Sequence, residues 1–173
     1  AFSKALGLPY RRIQFTPDIM PSDITGFTMY DRGSGKFRYQ EGPVLQCSLL
    51  LADEINRTAS KTQAALLEVM EEKQVTVDGK SHSVQKPFLV IATQNPAGTA
   101  GTQLLPQAQL DRFLVRLSIG HPSLNMLVEI LRDRQTENPL DTMRQILDRE
   151  EVLAMQQAVR AVYTSDEILR YLG

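Results

Sequence analysis

Leu49-Leu50-Leu51-Ala52-Asp53-Glu54, followed by the turn-prone Asn56-Arg57-Thr58, decides how this chain is read. An aliphatic run of that length fits a strand buried on both faces of a parallel sheet. Such strands deliver polar residues at their carboxyl ends, where ligands of open α/β sheets bind. Two adjacent acids at that place suit a divalent cation and a water. The plainer alternative is that Asp53 and Glu54 simply leave the core and cap the next helix, since apolar runs ending in acids are common.

Working outward, Pro87-Phe88-Leu89-Val90-Ile91-Ala92 has the same buried-strand pattern and ends in Thr93-Gln94-Asn95-Pro96, which puts Asn95 at an equivalent strand end. A third segment, Gln109-Leu110-Asp111-Arg112-Phe113-Leu114-Val115-Arg116-Leu117, places an arginine just before what reads as another apolar strand. Upstream, Arg11 to Phe15 is a further strand candidate, and Ser22-Asp23-Ile24 opens a helix.

In order and spacing, these segments resemble the Walker B strand, the sensor 1 strand and the arginine-finger segment of AAA+ ATPases. More narrowly, LLLADEINR, ATQNP and LPQAQLDRFLV, with TPDIMPSDITG near the start, resemble the MoxR family of that superfamily. The resemblance covers nearly the whole chain. It implies an α/β fold: a P-loop-type AAA+ core with a parallel sheet and β-hairpin inserts, followed by the start of an all-α lid. It also implies ATP and Mg²⁺ as cofactors. By resemblance, Asp53 holds Mg²⁺ through water, as suits a hard cation that keeps much of its hydration shell. Glu54 is the general base on the attacking water. Asn95 is sensor 1, orienting that water and touching the terminal phosphate, with an ordinary Asn-Pro turn as the competing reading. Arg112 is the arginine finger reaching a neighbouring subunit, the alternatives being a local salt bridge with Asp111 or Arg116 as the finger.

Two glycine-rich stretches look superficially like phosphate loops. Gly33-Ser34-Gly35-Lys36 would need a glycine at Tyr30 and a hydroxyl at Phe37, and Gly79-Lys80-Ser81 would need a glycine at Gln74. Each instead lies between β-prone segments, Phe27 to Tyr30 with Lys36 to Tyr39 and Gln74 to Val77 with Ser81 to Val84, so both read as hairpin turns. Asp78-Gly79 is a strong two-residue type I′ signal. Ala1 to Gly7 reads as the end of a helix closed by glycine, and the resemblance places the phosphate loop just before it. The expectation is an internal piece of a longer ATPase, inactive by itself, that stops before the lid arginine.

Gln63, Leu66, Leu67 and Met70 fall on one face of a helix expected from about Ser60 to Glu72. From Pro122 the pattern turns helical, with Leu124, Leu127, Val128 and Leu131 on one face and Val152, Met155, Val159 and Val162 on another. This sets a domain boundary: residues 1–120 form the α/β core without its phosphate loop, and 121–173 part of the helical lid. Arg132 to Leu140 reads as a loop within that lid, and Thr164 to Glu167 as a capping box. Two features depart from the MoxR pattern: Gln107 stands where a glutamate is usual, and Ala97 to Leu104 is smaller and less acidic.

The chain has 173 residues, 42% of them hydrophobic, and a net charge of −1. No apolar run approaches the ~18 residues of a membrane span, and no charged-then-apolar leader opens it, so a cytoplasmic protein is expected. Its lone Cys47 forms no internal disulfide, and the two histidines, His82 and His121, belong to no zinc pattern. Dispersed basic residues argue against a nucleic-acid surface. The resemblance implies a homo-oligomeric ring of six subunits that remodels client proteins or helps insert metals or cofactors, with von Willebrand factor A domain proteins among the partners. The competing functions are a non-catalytic AAA+-like interaction module and a DNA-remodelling ATPase. Four ATPase residues together count against the first. The second needs basic hairpin tips, and Lys80, His82 and Lys86 are too few to supply them.

Overall fold

A computed structural model describes residues 1–95, 104–136 and 138–173, with no account of the side chain of 136. The chain opens with a single helical turn, α1 (Phe2–Ala5), and Gly7 takes the left-handed φ of +59° that ends it. Strand β1 (Tyr10–Gln14) leads to α2 (Pro21–Thr25) and then to a hairpin of β2 (Gly26–Asp31) and β3 (Lys36–Glu41). A 3₁₀ turn over Pro43–Leu45 precedes β4 (Leu49–Asp53), and a second one, Ile55–Arg57, follows it. Helix α3 (Ser60–Glu72) joins a second hairpin, β5 (Gln74–Val77) with β6 (Lys80–Ser83), which leads into β7 (Leu89–Ala92). Beyond lie α4 (Gln107–Leu110), α5 (Leu124–Thr136), α6 (Pro139–Thr142), α7 (Arg149–Arg160) and α8 (Asp166–Leu172).

The aliphatic run is the middle of the sheet. β4 pairs in parallel with β1 on one side and β7 on the other, with Leu50 opposite Arg11 and Val90. Leu50 and Ala52 are fully buried, and Leu49 is nearly so. Under the sheet, Phe15, Ile24, Val44, Ile55 and Leu66 are also inaccessible to solvent. Each such side chain contributes about 1.5–3 kcal/mol over its exposed form. The face expected of α3 is the one it buries: Gln63, Leu66 and Leu67 are buried and Met70 is packed against the core. Gln63 sits there because its amide donates to the carbonyls of Ile55 and Thr58, both at 3.2 Å. A buried polar group is thereby satisfied, and the turn after the acid pair is tied to the helix.

Both glycine-rich decoys are hairpin turns. Asp78 and Gly79 have φ of +49° and +73° between Val77 and Lys80, as a type I′ turn requires. The hairpins meet through Tyr39, whose ring stacks on His82 at a centroid distance of 4.3 Å and whose hydroxyl donates to the Thr25 carbonyl.

Three expectations change. No strand forms over Phe113–Leu117: Leu114 is 99% exposed and Leu117 83%. A lone extended segment has no ladder partner to take its amides and carbonyls, so apolar pattern alone does not make it a strand. The loop expected from Arg132 to Leu140 is shorter, because α5 runs on to Thr136 and α6 begins at Pro139. The cap of α8 is Ser165, whose Oγ accepts from Ile168 N, rather than a Thr164–Glu167 box. The departure at Ala97 to Leu104 lies, except for Leu104, outside the described residues. Among the described residues, no helix is long and apolar enough to cross a membrane.

Candidate functional site

Asp53 is the last residue of β4, and Glu54 follows it in a left-handed conformation at φ +56°. That backbone is uncommon outside glycine and breaks the alternation of the strand, which is how two adjacent acids come to share one sheet end. The neighbouring strand holds the bend. Thr93, just beyond β7, donates its hydroxyl proton to the Asp53 carboxylate, and its oxygen accepts the Glu54 amide at 2.8 Å. The Ile55 amide donates to the Thr93 carbonyl at 3.0 Å, and the Thr93 amide to the Ala52 carbonyl at 2.9 Å. One threonine therefore clamps both acids to the adjacent strand.

The carboxylates are ionised and partnered. The Thr93 hydroxyl, and then Arg12 from β1, hold Asp53 below the usual carboxylate range. Arg57, whose Nη1 lies 2.8 Å from Glu54, and then the Asn95 side chain, do the same for Glu54. A carboxylate kept anionic in this way is able to accept a proton without first losing one. The Asn95 backbone is placed by a reciprocal pair: its N–H donates to Asn56 Oδ1 at 3.0 Å, and Asn56 Nδ2 donates to its main-chain carbonyl at 3.1 Å. Asn56 is 1% exposed, so these bonds are made away from competing water.

The structure thus brings Asp53, Glu54 and Asn95 together at the carboxyl ends of β4 and β7. Arg112 lies elsewhere. On the turn after α4, it donates through Nε to Glu71 of α3 at 2.7 Å and through Nη1 to the Ala108 carbonyl at 3.0 Å. The expected alternative partner, Asp111, is taken by Gln107 Nε2 at 3.0 Å. Sequence reasoning passed over Arg12, Asn56, Arg57, Glu71 and Thr93. Asn56 and Arg57 lie in the turn-prone stretch after the acid pair, and Thr93 where the second buried-strand pattern ends, and neither Asn56 nor Thr93 signals its partner locally. Arg12 and Glu71 carry no local signal, because their partners are 41 residues away.

Residues 1–115 match the model of the ATPase family associated with various cellular activities (AAA). Over 172 residues the chain is 45% identical to the uncharacterized protein YeaC of Bacillus subtilis, covering 99% of this chain and 53% of the relative. It is 40% identical over 171 residues to the chaperone MoxR1 of Mycobacterium tuberculosis, covering 99% and 45%. The crystal structure of a Cytophaga hutchinsonii protein provisionally named an ATPase superposes with a TM-score of 0.82 at 37% identity, over 98% of this chain and 51% of that one. The chain belongs to the MoxR family of AAA+ ATPases. It spans about half the length of the curated relatives it matches.

Within this MoxR-family domain, the donor set can be set against the metal such ATPases use. Among the described residues, no three His, Cys, Asp or Glu side chains gather into a metal cage. Asp53 and Glu54 are an oxygen-only pair at the carboxyl end of the central strand. That fits Mg²⁺, which retains waters and takes one or two carboxylates with phosphate oxygens, and does not fit zinc.

Proposed function

We propose that this MoxR-family chain carries the catalytic strand ends of an Mg²⁺-dependent ATPase. The observation that supports this most directly is the clamp at Thr93, which fixes Asp53 and Glu54 side by side next to Asn95. Asp53 would hold Mg²⁺ through water, and the ion, when bound, neutralises charge on the phosphate oxygens. Glu54 takes the proton of the attacking water. Asn95 orients that water with a neutral amide, which adds no charge to an anionic site. Arg112, away from this cluster, serves a neighbouring subunit's phosphate, a contribution worth roughly 10³–10⁵ in turnover where such arginines have been removed.

Residues 1–120 would then be the α/β core and 121–173 part of the helical lid of a cytoplasmic, six-membered homo-oligomeric ring. The ring would couple hydrolysis to chaperone-like remodelling of client proteins, or to metal or cofactor insertion into them, with von Willebrand factor A domain proteins among the partners. The name of the Mycobacterium tuberculosis relative supports the chaperone reading.

The test uses the full-length polypeptide that carries this sequence. Glu54→Gln retains MgATP binding by calorimetry and loses turnover by roughly 10²–10⁴, the usual share of a general base. Turnover at the parent rate would remove Glu54 from the mechanism.

A further inference from the structure

The outer face of α3 and the turn after α4 enclose a notch lined by Glu68, Glu71, Glu72, Gln109 and Arg112. Glu71 and Glu72 stand three and four residues beyond Glu68 on one helix, so each lies beside Glu68 and is repelled by it. Among the described residues, Arg112 is the one cation lining the notch, and of the three acids it pairs with Glu71. The pair is exposed, 40% on the arginine side and 56% on the glutamate side. Such ion pairs add little to stability. What the contact does achieve is orientation. Nε is held by Glu71 and Nη1 by the Ala108 carbonyl, two contacts that set the plane of the guanidinium. Its Nη2 has no partner among the described residues.

We infer that Glu71 is a positioning residue for Arg112, holding the guanidinium so that its Nη2 edge meets the phosphate of a neighbouring subunit already oriented. This rests on the reading of Arg112 as the arginine finger. A long side chain at a subunit edge samples many directions, and a guanidinium recognises phosphate oxygens through a fixed planar fork. Glu71 removes most of those directions before the subunits meet. The carboxylate does not touch the nucleotide, so it acts on turnover rather than on nucleotide affinity.

Steady-state MgATP hydrolysis by the full-length polypeptide carrying this sequence tests this with four variants: Glu71→Gln, Glu72→Gln, Arg112→Ala and Glu71→Gln with Arg112→Ala. Glu71→Gln keeps the shape of an exposed side chain, so folding is not at issue. Its kcat is expected to fall about tenfold to a hundredfold, the scale of a misplaced catalytic group, with KM within about twofold. Glu72→Gln removes the same charge from the same notch without breaking the contact and leaves kcat within about twofold. The double variant is no slower than Arg112→Ala alone, because both changes remove one function. A Glu71→Gln enzyme at or above the parent kcat while Arg112→Ala is slow overturns the positioning role alone, as do losses that multiply in the double variant or an equal loss in Glu72→Gln. An Arg112→Ala enzyme with parent turnover overturns the finger reading and the positioning role with it.

Discussion

Two apolar stretches of similar composition fare differently in this molecule. Leu49–Asp53 lies between two parallel neighbours, buries Leu50 and Ala52 completely and ends in a clamped pair of acids. Phe113–Leu117 has no strand beside it among the described residues and leaves Leu114 and Leu117 in solvent. The difference is one of partners. A strand's backbone donors and acceptors are satisfied sideways, so hydrophobic pattern is realised as β structure only where a ladder exists to receive it. It also separates the two parts of the candidate site: the acid pair is held by both neighbouring strands, whereas Arg112 is held by one exposed ion pair and one carbonyl.

The contrast is broken most severely at its buried side. Leu50→Ala is expected to lower the unfolding free energy of the 173-residue chain by about 2–5 kcal/mol in urea titrations, the range for a truncated core leucine. A loss below about 1 kcal/mol would mean that the sheet centre is not the packed core. Next comes Asn56→Ala. It leaves the Asn95 amide and carbonyl without the two partners that Asn56 supplies, and should cost about 1–3 kcal/mol with loss of protection of the Asn95 amide in hydrogen exchange. Unchanged protection would show that Asn95 is held by something else.

Chemical access sharpens the same comparison. Cys47 is fully buried just before β4, and burial pushes its thiol from 9.0 up to about 11. At pH 8 it should react with a maleimide only as fast as the chain unfolds, whereas a thiol placed by Leu114→Cys reacts at the rate of a free cysteine. The sign of the stability effect follows. Below pH 9 the thiol is neutral in both states, and between 9 and about 11 the unfolded chain ionises first, so the contribution of Cys47 is lost as pH rises through that window. The urea midpoint should fall across it, by less in Cys47→Ala. The smallest effect is expected at Leu114→Ser, within about 0.5 kcal/mol of the parent in this chain. A loss comparable to that of Leu50→Ala would show that residues 113–117 are packed after all.

Much of the acid-pair end was legible because its signals are local. An aliphatic run ending in two acids, an Asp-Gly turn and an i, i+3, i+4, i+7 stripe each encode their own geometry within a few residues. β4, the β5–β6 turn and α3 follow from them with little shift. The family was legible for the same reason, since its motifs are contiguous. The hidden part was who holds whom. Thr93 to Asp53, Arg12 to Asp53 and Arg112 to Glu71 each span about forty residues. Sequence alone thus determined the strands, hairpins and helix faces that short-range pattern can write, and the chemical types present at the strand ends. Only the tertiary structure decided that Thr93 clamps the acids, that Asn56 places Asn95, that Arg112 is turned toward Glu71 and that residues 113–117 form no strand. These outcomes depend on which surfaces meet, and pairing across a sheet or a helix face is set by packing between distant segments rather than by the residues adjoining each one.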